Sequence, residues 1–483
     1  MEVLKGLKPE AVWTYFEEIC QVPRPSRKEE KIGKWLMDFA RKHNLEAKQD
    51  EAGNVLISRG ATPGKENTPG IVLQAHMDMV CEKNSDTQHD FDKDPIQPYI
   101  DGEWVKAKGT TLGADDGIGV AAALAVLTSE EIQHGPIECL FTVDEETGLT
   151  GAFALKPGFF KSNILLNLDS EDEGEMFIGC AGGIDTVIRL PYQKVAAPAH
   201  QYCVKVSVKG LQGGHSGDDI NKGRGNAIKI LNRFVWEMNH KYGIQLVEFA
   251  GGNLRNAIAR EANATFAFDE SHKDEVRTAF ESYAAEMNNV WSITEPGLKM
   301  EYATMDVPSE LLTSESTTNL LNGLYACPHG VFSMSYRMPG MVETSTNLAA
   351  VKFVEDNTIL ITTSQRSDVD SEKMNIAQMV ASAFRMAGAE VKHGEGYPGW
   401  APNPNSNILK VVVESYKRLF GKEPIVRSIH AGLECGLFLE KYPGMDMVSF
   451  GPTLRGVHSP DEKVNIKTVE MWWSHLVDIL EHM

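Results

Sequence analysis

Three short apolar runs, residues 71–75, 137–143 and 164–168, each lead directly into residues that can bind a metal ion, and this repeated junction limits the available folds most. The junctions read His76-Met77-Asp78, Asp144-Glu145-Glu146-Thr147-Gly148 and Asn167-Leu168-Asp169-Ser170-Glu171. A further acidic motif, Gly113-Ala114-Asp115-Asp116-Gly117, opens an Ala- and Val-rich segment at 118–127 that is long enough for a buried helix. His458 follows near the C-terminus, in Arg455-Gly456-Val457-His458-Ser459-Pro460. The runs have strand length, and segments 8–20 and 28–43 have helical spacing, with Ser26 placed to cap the second. Alternation of this kind predicts an α/β layer structure with a mixed, largely parallel sheet flanked by helices. Ligands of such sheets gather beyond the carboxyl ends of the strands. His76, Glu145, Glu146 and Asp169 fall at those ends.

Charge then argues for cations. Asp115, Glu145, Glu146 and Asp169, gathered in one cleft, would repel one another and raise their own pKa values. Two divalent ions remove that conflict, with Asp115, Glu146 and Asp169 as anionic ligands and His76 and His458 as neutral ones. One carboxylate must bridge ions about 3.5–4 Å apart. Asp115, in a glycine-flanked turn, is the choice. Asp78, two residues after His76, is placed to orient the imidazole. Singly, each motif has a blander reading: Asp115-Asp116 as a helix N-cap, Glu145-Glu146 as a solvated loop, His458 as a surface histidine. Their joint order along successive strand-to-loop junctions is what makes the set specific to a two-metal hydrolase.

Bulk properties exclude other classes. A chain of 483 residues exceeds one ordinary core, so two or three domains are expected. The formal charge of −20 argues against nucleic acid and anionic membrane as partners. No window approaches the roughly twenty apolar residues that span a bilayer. Seven scattered cysteines (Cys20, Cys81, Cys139, Cys180, Cys203, Cys327, Cys435), never spaced Cys-x-x-Cys, suit reduced thiols in a cytoplasm and leave metal binding to nitrogen and oxygen. Neither a phosphate-binding Gly-x-x-x-x-Gly-Lys-Ser/Thr loop nor a dinucleotide fingerprint is present.

After Gly182-Gly183 the texture changes. Strand-like segments at 202–208, 248–268, 330–337, 357–364 and 389–393 and helical ones at 226–239 and 275–288 suggest a separate α+β domain. Its end is marked by Gly399-Trp400-Ala401-Pro402-Asn403-Pro404. The expected division is a discontinuous metal-binding catalytic domain, 1–185 and 403–483, with 186–402 inserted into it.

The five motifs around His76, Asp115, Glu145-Glu146, Asp169 and His458 resemble the dinuclear zinc peptidase family that includes aminoacylase, bacterial tripeptidase and glutamate-releasing carboxypeptidases. Four further segments resemble one branch of it, the bacterial cytosolic aminoacyl-histidine (carnosinase-like) dipeptidases. These are Gly213-Gly214-His215-Ser216-Gly217, the stretch from Gly251 to Ile258, Gln365-Arg366-Ser367 and the stretch from His430 to Gly436. Ala259 stands where that branch would have proline. The resemblance implies that His76 and Asp169 hold one metal and Glu146 and His458 the other, with Asp115 shared. It further implies that Glu145 is general base and acid, that His215 stabilises the oxyanion, and that Arg366 and Asn256 grip the substrate carboxylate. His430 and Glu434 are expected near the substrate. Zinc is the expected metal, with cobalt or manganese as alternatives, and the inserted domain is expected to act as a lid and to form a homodimer. The implied reaction is hydrolysis of dipeptides, Xaa-His and β-alanyl-histidine among them. Alternatives of the same chemistry are a tripeptidase, an N-acyl amino acid deacylase or a carboxypeptidase. A catalytically silent metal-binding scaffold is the alternative of another class, and an intact Glu145 speaks against it.

Overall fold

Residues 3–483 are described by a computed structural model, in which the chain forms two compact units. Unit 1 comprises the N-terminal 179 residues, Pro402–Ser428 and Leu433–Met483; unit 2 comprises Cys180–Ala401 and the short return Ile429–Gly432.

Unit 1 is built on an eight-stranded sheet. Its strand order is Glu46–Gln49, Val55–Arg59, Ile137–Thr142, Ile71–His76, Ile164–Asn167, Asp446–Ser449, Glu175–Cys180 and Ile425–Ile429. The four middle strands run parallel, and antiparallel strands flank them. Ile71–His76 is buried along its whole length, as a central parallel strand covered on both faces must be. The helix Ala114–Thr128 buries thirteen of its fifteen residues. A helix apolar all round has no solvent face, so this one is an inner layer. Helices Glu10–Cys20 and Glu30–Lys42 lie where their spacing predicts. Ser26, expected to cap the second, does not: Glu29 is the N-cap residue and no side chain caps the helix. The Ser26 hydroxyl donates instead to Asp78 Oδ2 at 2.7 Å.

A four-stranded sheet in unit 1 runs Leu454–Arg455, Lys463–Asn465, Trp104–Ala107, Pro98–Asp101. The first two strands pair antiparallel, so residues 456–462 form the loop of a hairpin.

Unit 2 holds a nine-stranded antiparallel sheet whose longest strands are Val342–Val354, Thr358–Ser367 and Gly182–Pro191. Helices Ala227–Tyr242, Lys273–Val290, Ser314–Ala326 and Asp370–Met386 contribute Phe234, Phe280, Leu320 and Phe384 to one buried cluster with sheet residues such as Val206, Phe266 and Ile361. This unit therefore has an apolar core of its own.

Candidate metal centre

The parallel strands deliver their junctions to one place. His76 ends its strand, the Glu145-Glu146 pair follows Ile137–Thr142, and Asp169 follows Ile164–Asn167. Asp115 comes from the non-helical first turn of Ala114–Thr128, and His458 from the hairpin loop. His76 Nε2 lies 3.1 Å from Asp115 Oδ1 and 3.6 Å from Asp169 Oδ1. His458 Nε2 lies 3.3 Å from Asp115 Oδ2 and 2.9 Å from Glu146 Oε2. The two Asp115 oxygens thus face two different imidazoles, and two donor groups form: His76, Asp115 and Asp169, and Asp115, Glu146 and His458. Glu145 lies beside them, grouped with His76 and Glu146.

Asp78 is fully buried and works on two elements at once. Its Oδ1 lies 3.3 Å from His76 Nδ1 and accepts from the Glu145 amide at 3.1 Å, while Oδ2 accepts from the Glu146 amide at 3.3 Å. One carboxylate therefore sets both the imidazole and the backbone that carries the glutamates. Arg24, also buried, donates to the carbonyls of Met77, Asp78 and Gly113, tying the end of the His76 strand to the Asp115 turn. Below the centre runs a buried polar chain. Gln74 donates to Glu434 Oε2 at 2.6 Å, Thr142 donates to the same oxygen at 2.7 Å, and Asn167 donates to Gln74 Oε1.

The electrostatics show charge in search of a cation. Burial lifts Asp169 to a pKa of about 7 and pushes Glu145 well above the carboxylate range, with neighbouring carboxylates adding to both. Burial pulls His76 down, but Asp169, Asp115 and Asp78 together outweigh it and hold the imidazole well above its usual value. Hydrogen bonds that His458 donates to the Asp115 and Glu146 carboxylates raise its pKa to about 11. Glu146 Oε1 is buried with no hydrogen-bond partner among the described residues. An all-nitrogen-and-oxygen donor set with surplus negative charge and an orphaned carboxylate oxygen fits divalent cations. A further buried carboxylate group, Glu29, Asp78 and Asp144, does not fit one. Its oxygens already accept from the Arg27, Asp144, Glu145 and Glu146 amides and the hydroxyls of Ser26, Thr147 and Thr150.

The other predicted residues fall into two places. Glu434 lies in unit 1, fully buried, its pKa raised by burial to about 8 and its Oε1 without a partner among the described residues. His215, Asn256, Arg366 and His430 lie in unit 2. His215 Nδ1 accepts from the Gly217 and Asp218 amides at 3.3 and 3.2 Å, which leaves its proton on Nε2. Burial and the Arg366 charge lower the pKa of His215, and burial, Arg366 and His215 lower His430 to about 3. His430 Nε2 is 2.8 Å from Ser345 Oγ, and Arg366 donates to the Tyr397 hydroxyl at 3.3 Å. Arg366 makes no ion pair among the described residues, and its buried Nε has no partner. Asn256 is exposed beside the His215 turn, where Ala257 bridges His215.

Sequence reasoning missed Gln74, Arg24 and Glu462. Glu462 is 2% exposed, and its carboxylate accepts from four consecutive amides: Leu112 (2.7 Å), Gly113 (2.9 Å), Ala114 (2.8 Å) and Asp115 (3.2 Å).

Peptidase family M20/M25/M40 matches residues 72–482, a span that takes in every metal-centre residue. The chain belongs to that family. Among relatives of this M20 peptidase, the cytosol non-specific dipeptidase of Escherichia coli is 45% identical over 483 residues, covering all of this chain and 99% of its own. The crystal structure of aminoacylhistidine dipeptidase from Vibrio alginolyticus superposes with a TM-score of 0.94 at 45% identity, covering 99% of this chain and 98% of its own. A tripeptidase structure from Staphylococcus aureus, at 17% identity and a TM-score of 0.57, shares the fold over 99% of this chain and 98% of its own. The M20 peptidases are metallopeptidases, so divalent metal ions belong to the chemistry of this chain.

Proposed function

We propose that this M20 peptidase hydrolyses the amide bond of dipeptides, Xaa-His and β-alanyl-histidine among them, with two divalent ions held by His76, Asp115, Asp169, Glu146 and His458. The observation that carries the reading is Asp115, whose two oxygens face separate donor groups. Identity of 45% over whole chains to two proteins named as dipeptidases supports the substrate class. The ions, zinc in this reading, supply Lewis-acid polarisation and neutralise the carboxylates.

The chain's own groups do the rest. Glu145 takes a proton from the attacking water and returns it to the leaving amine; burial has already moved its carboxyl toward proton-holding values. Asp78 keeps the His76 ring and the Glu145 backbone in place. His215 offers Nε2–H to the developing oxyanion, and one such donor is worth about 3–4 kcal/mol of transition-state stabilisation. Arg366, together with Asn256, takes the free carboxylate, for which a planar guanidinium whose buried Nε has no partner among the described residues is suited. Neutral His430 and buried Glu434 complete the substrate contacts in this reading.

Unit 2 would serve as lid and dimer contact. Gly330–Met334 pairs only with Val342–Val354 among the described residues and exposes Phe332, Met334 and the following Tyr336. Seven scattered cysteines, none of them spaced Cys-x-x-Cys, accord with a cytoplasmic home in this reading. The deciding assay compares β-alanyl-histidine, other dipeptides, a tripeptide and an N-acetyl amino acid, using protein stripped of metal and reloaded with zinc, cobalt or manganese. Dipeptide turnover should dominate and vanish on stripping. Preference for the tripeptide or the N-acetyl substrate would overturn the reading.

A further inference from the structure

His458 and Glu462 share one loop, 456–462, and both reach the same short turn of chain. His458 approaches the Asp115 side chain at 3.3 Å. Glu462 takes the backbone of Asp115 and of the three residues before it, two amides on each oxygen. Gly113 makes this convergence possible: its left-handed φ of 70° turns successive amides toward one point. The helix that starts there has no cap from its own N-cap residue. A helix cap alone needs one or two acceptors. Four amides on one buried carboxylate fix the turn in two directions, and Asp115 is the last residue held.

We propose that Glu462 is a positioning residue that sets Asp115 so its two oxygens serve two ions, and that the His458 loop thereby ties both ligands into one unit. This rests on the reading of Asp115 as the shared ligand. A carboxylate is required because both oxygens must accept. In Glu462→Gln the amide nitrogen would face two N–H donors, and two of the four bonds would be lost. Glu462→Asp keeps both acceptors on a shorter stem and should recover part of the loss.

The test uses the full chain, stripped by chelator and titrated with Co²⁺, whose visible absorption reports ligand geometry, and with Zn²⁺ by competition. Glu462→Gln should bind Co²⁺ about tenfold to a hundredfold more weakly, with an altered spectrum. Its rise in Tm on metal addition should shrink, and kcat for β-alanyl-histidine should fall while KM stays within about twofold. A simple helix cap predicts something else: Tm lowered equally with and without metal, and Co²⁺ affinity and spectrum those of the unaltered protein. That result would overturn the proposal. Should Glu462→Gln fail to fold, Glu462→Asp is read the same way, and a metal-induced Tm rise equal to that of the unaltered chain overturns it. Asp115→Ala separates the two ideas. If that variant still binds two ions as tightly as the unaltered chain, the shared-ligand reading fails, whatever Glu462 does.

Discussion

The adjacent glutamates at 145 and 146 are proposed to have different tasks because their surroundings differ. Glu146 Oε2 sits 2.9 Å from His458 and its other oxygen is orphaned, as a ligand's would be. Glu145 has no ion pair among the described residues, and burial raises its pKa, as proton transfer requires. Glu145→Gln should therefore keep its metal by elemental analysis yet lose turnover by roughly a hundredfold to ten-thousandfold; retained activity would remove Glu145 from the proton-transfer role. His458→Ala should lower metal content instead, and an unchanged metal count would exclude His458 as a ligand. A residue far from chemistry gives a pH prediction. His475 is 2% exposed, donates from Nε2 to the Val412 carbonyl at 2.8 Å, and packs against Tyr416 and Phe450. Burial lowers its pKa to about 4. The fold thus favours the neutral ring, and its contribution is whole above the unfolded value of about 6.5 and declines as pH falls toward 4. The loss is on the order of 3 kcal/mol at most. His475→Gln keeps a donor and cannot titrate, so its Tm should fall less steeply between pH 6.5 and 4; parallel curves would show that His475 does not contribute.

Between elements, Arg24 ties together the chain segments that carry His76 and Asp115. Its guanidinium joins the carbonyls of Met77 and Asp78, past the end of one strand, to that of Gly113, before the helix. Arg24→Ala would leave three buried carbonyls without a donor, at about 1–3 kcal/mol for each that water does not reach. Chemical denaturation should show a loss on the order of 3 kcal/mol or more, together with weaker metal binding. A change under 1 kcal/mol would mean the turn holds itself. Arg24 also shows where sequence reading stops. His76, Glu145, Glu146 and Asp169 were legible as candidates because each lies just past an apolar run whose strand length and end are local properties, whereas Asp115 and His458 joined them only through the order of the motifs. Arg24 and Glu462 act on partners up to 350 positions away, and nothing local in Pro23-Arg24-Pro25 or Asp461-Glu462 separates them from ordinary surface charge. Gln74 and Asn167 escape for another reason: they are buried polar groups whose mutual hydrogen bonds satisfy them. In unit 2, Val342–Val354 buries Thr344, Ser345, Thr346 and Asn347, so its central stretch carries no hydrophobic alternation to mark it as a strand. The helices Ser314–Ala326 and Asp370–Met386 likewise emerged only in the folded chain.

All five proposed ligand positions, with Glu145 and Glu462, lie in unit 1, although they come from chain segments more than 300 residues apart. Unit 2 has its own core and none of them. Metal should therefore stabilise one unit and leave the other's internal stability unaltered. An ion held at a thousand times its dissociation constant adds about 4 kcal/mol to whatever unfolds with its site. Stripping should remove that stabilisation and also leave Asp115, Glu146 and Asp169 to repel one another unless they bind protons. Limited proteolysis of stripped and reloaded protein, read by mass spectrometry, checks this. Without metal, cleavage should begin in the N-terminal 179 residues and in the C-terminal segment around His458, with 180–401 surviving as a resistant fragment. Reloading zinc should protect the first two and leave the rate in 180–401 unchanged. Raising the pH of the stripped protein from 6 to 8 should speed cleavage in unit 1, because Asp169, with its pKa near 7, gives up its proton over that range and repulsion grows. If both units were cut together at the same rate in every metal state, the ions would not be held by unit 1 alone, and the ligand set drawn from His76, Asp115, Glu146, Asp169 and His458 would be wrong.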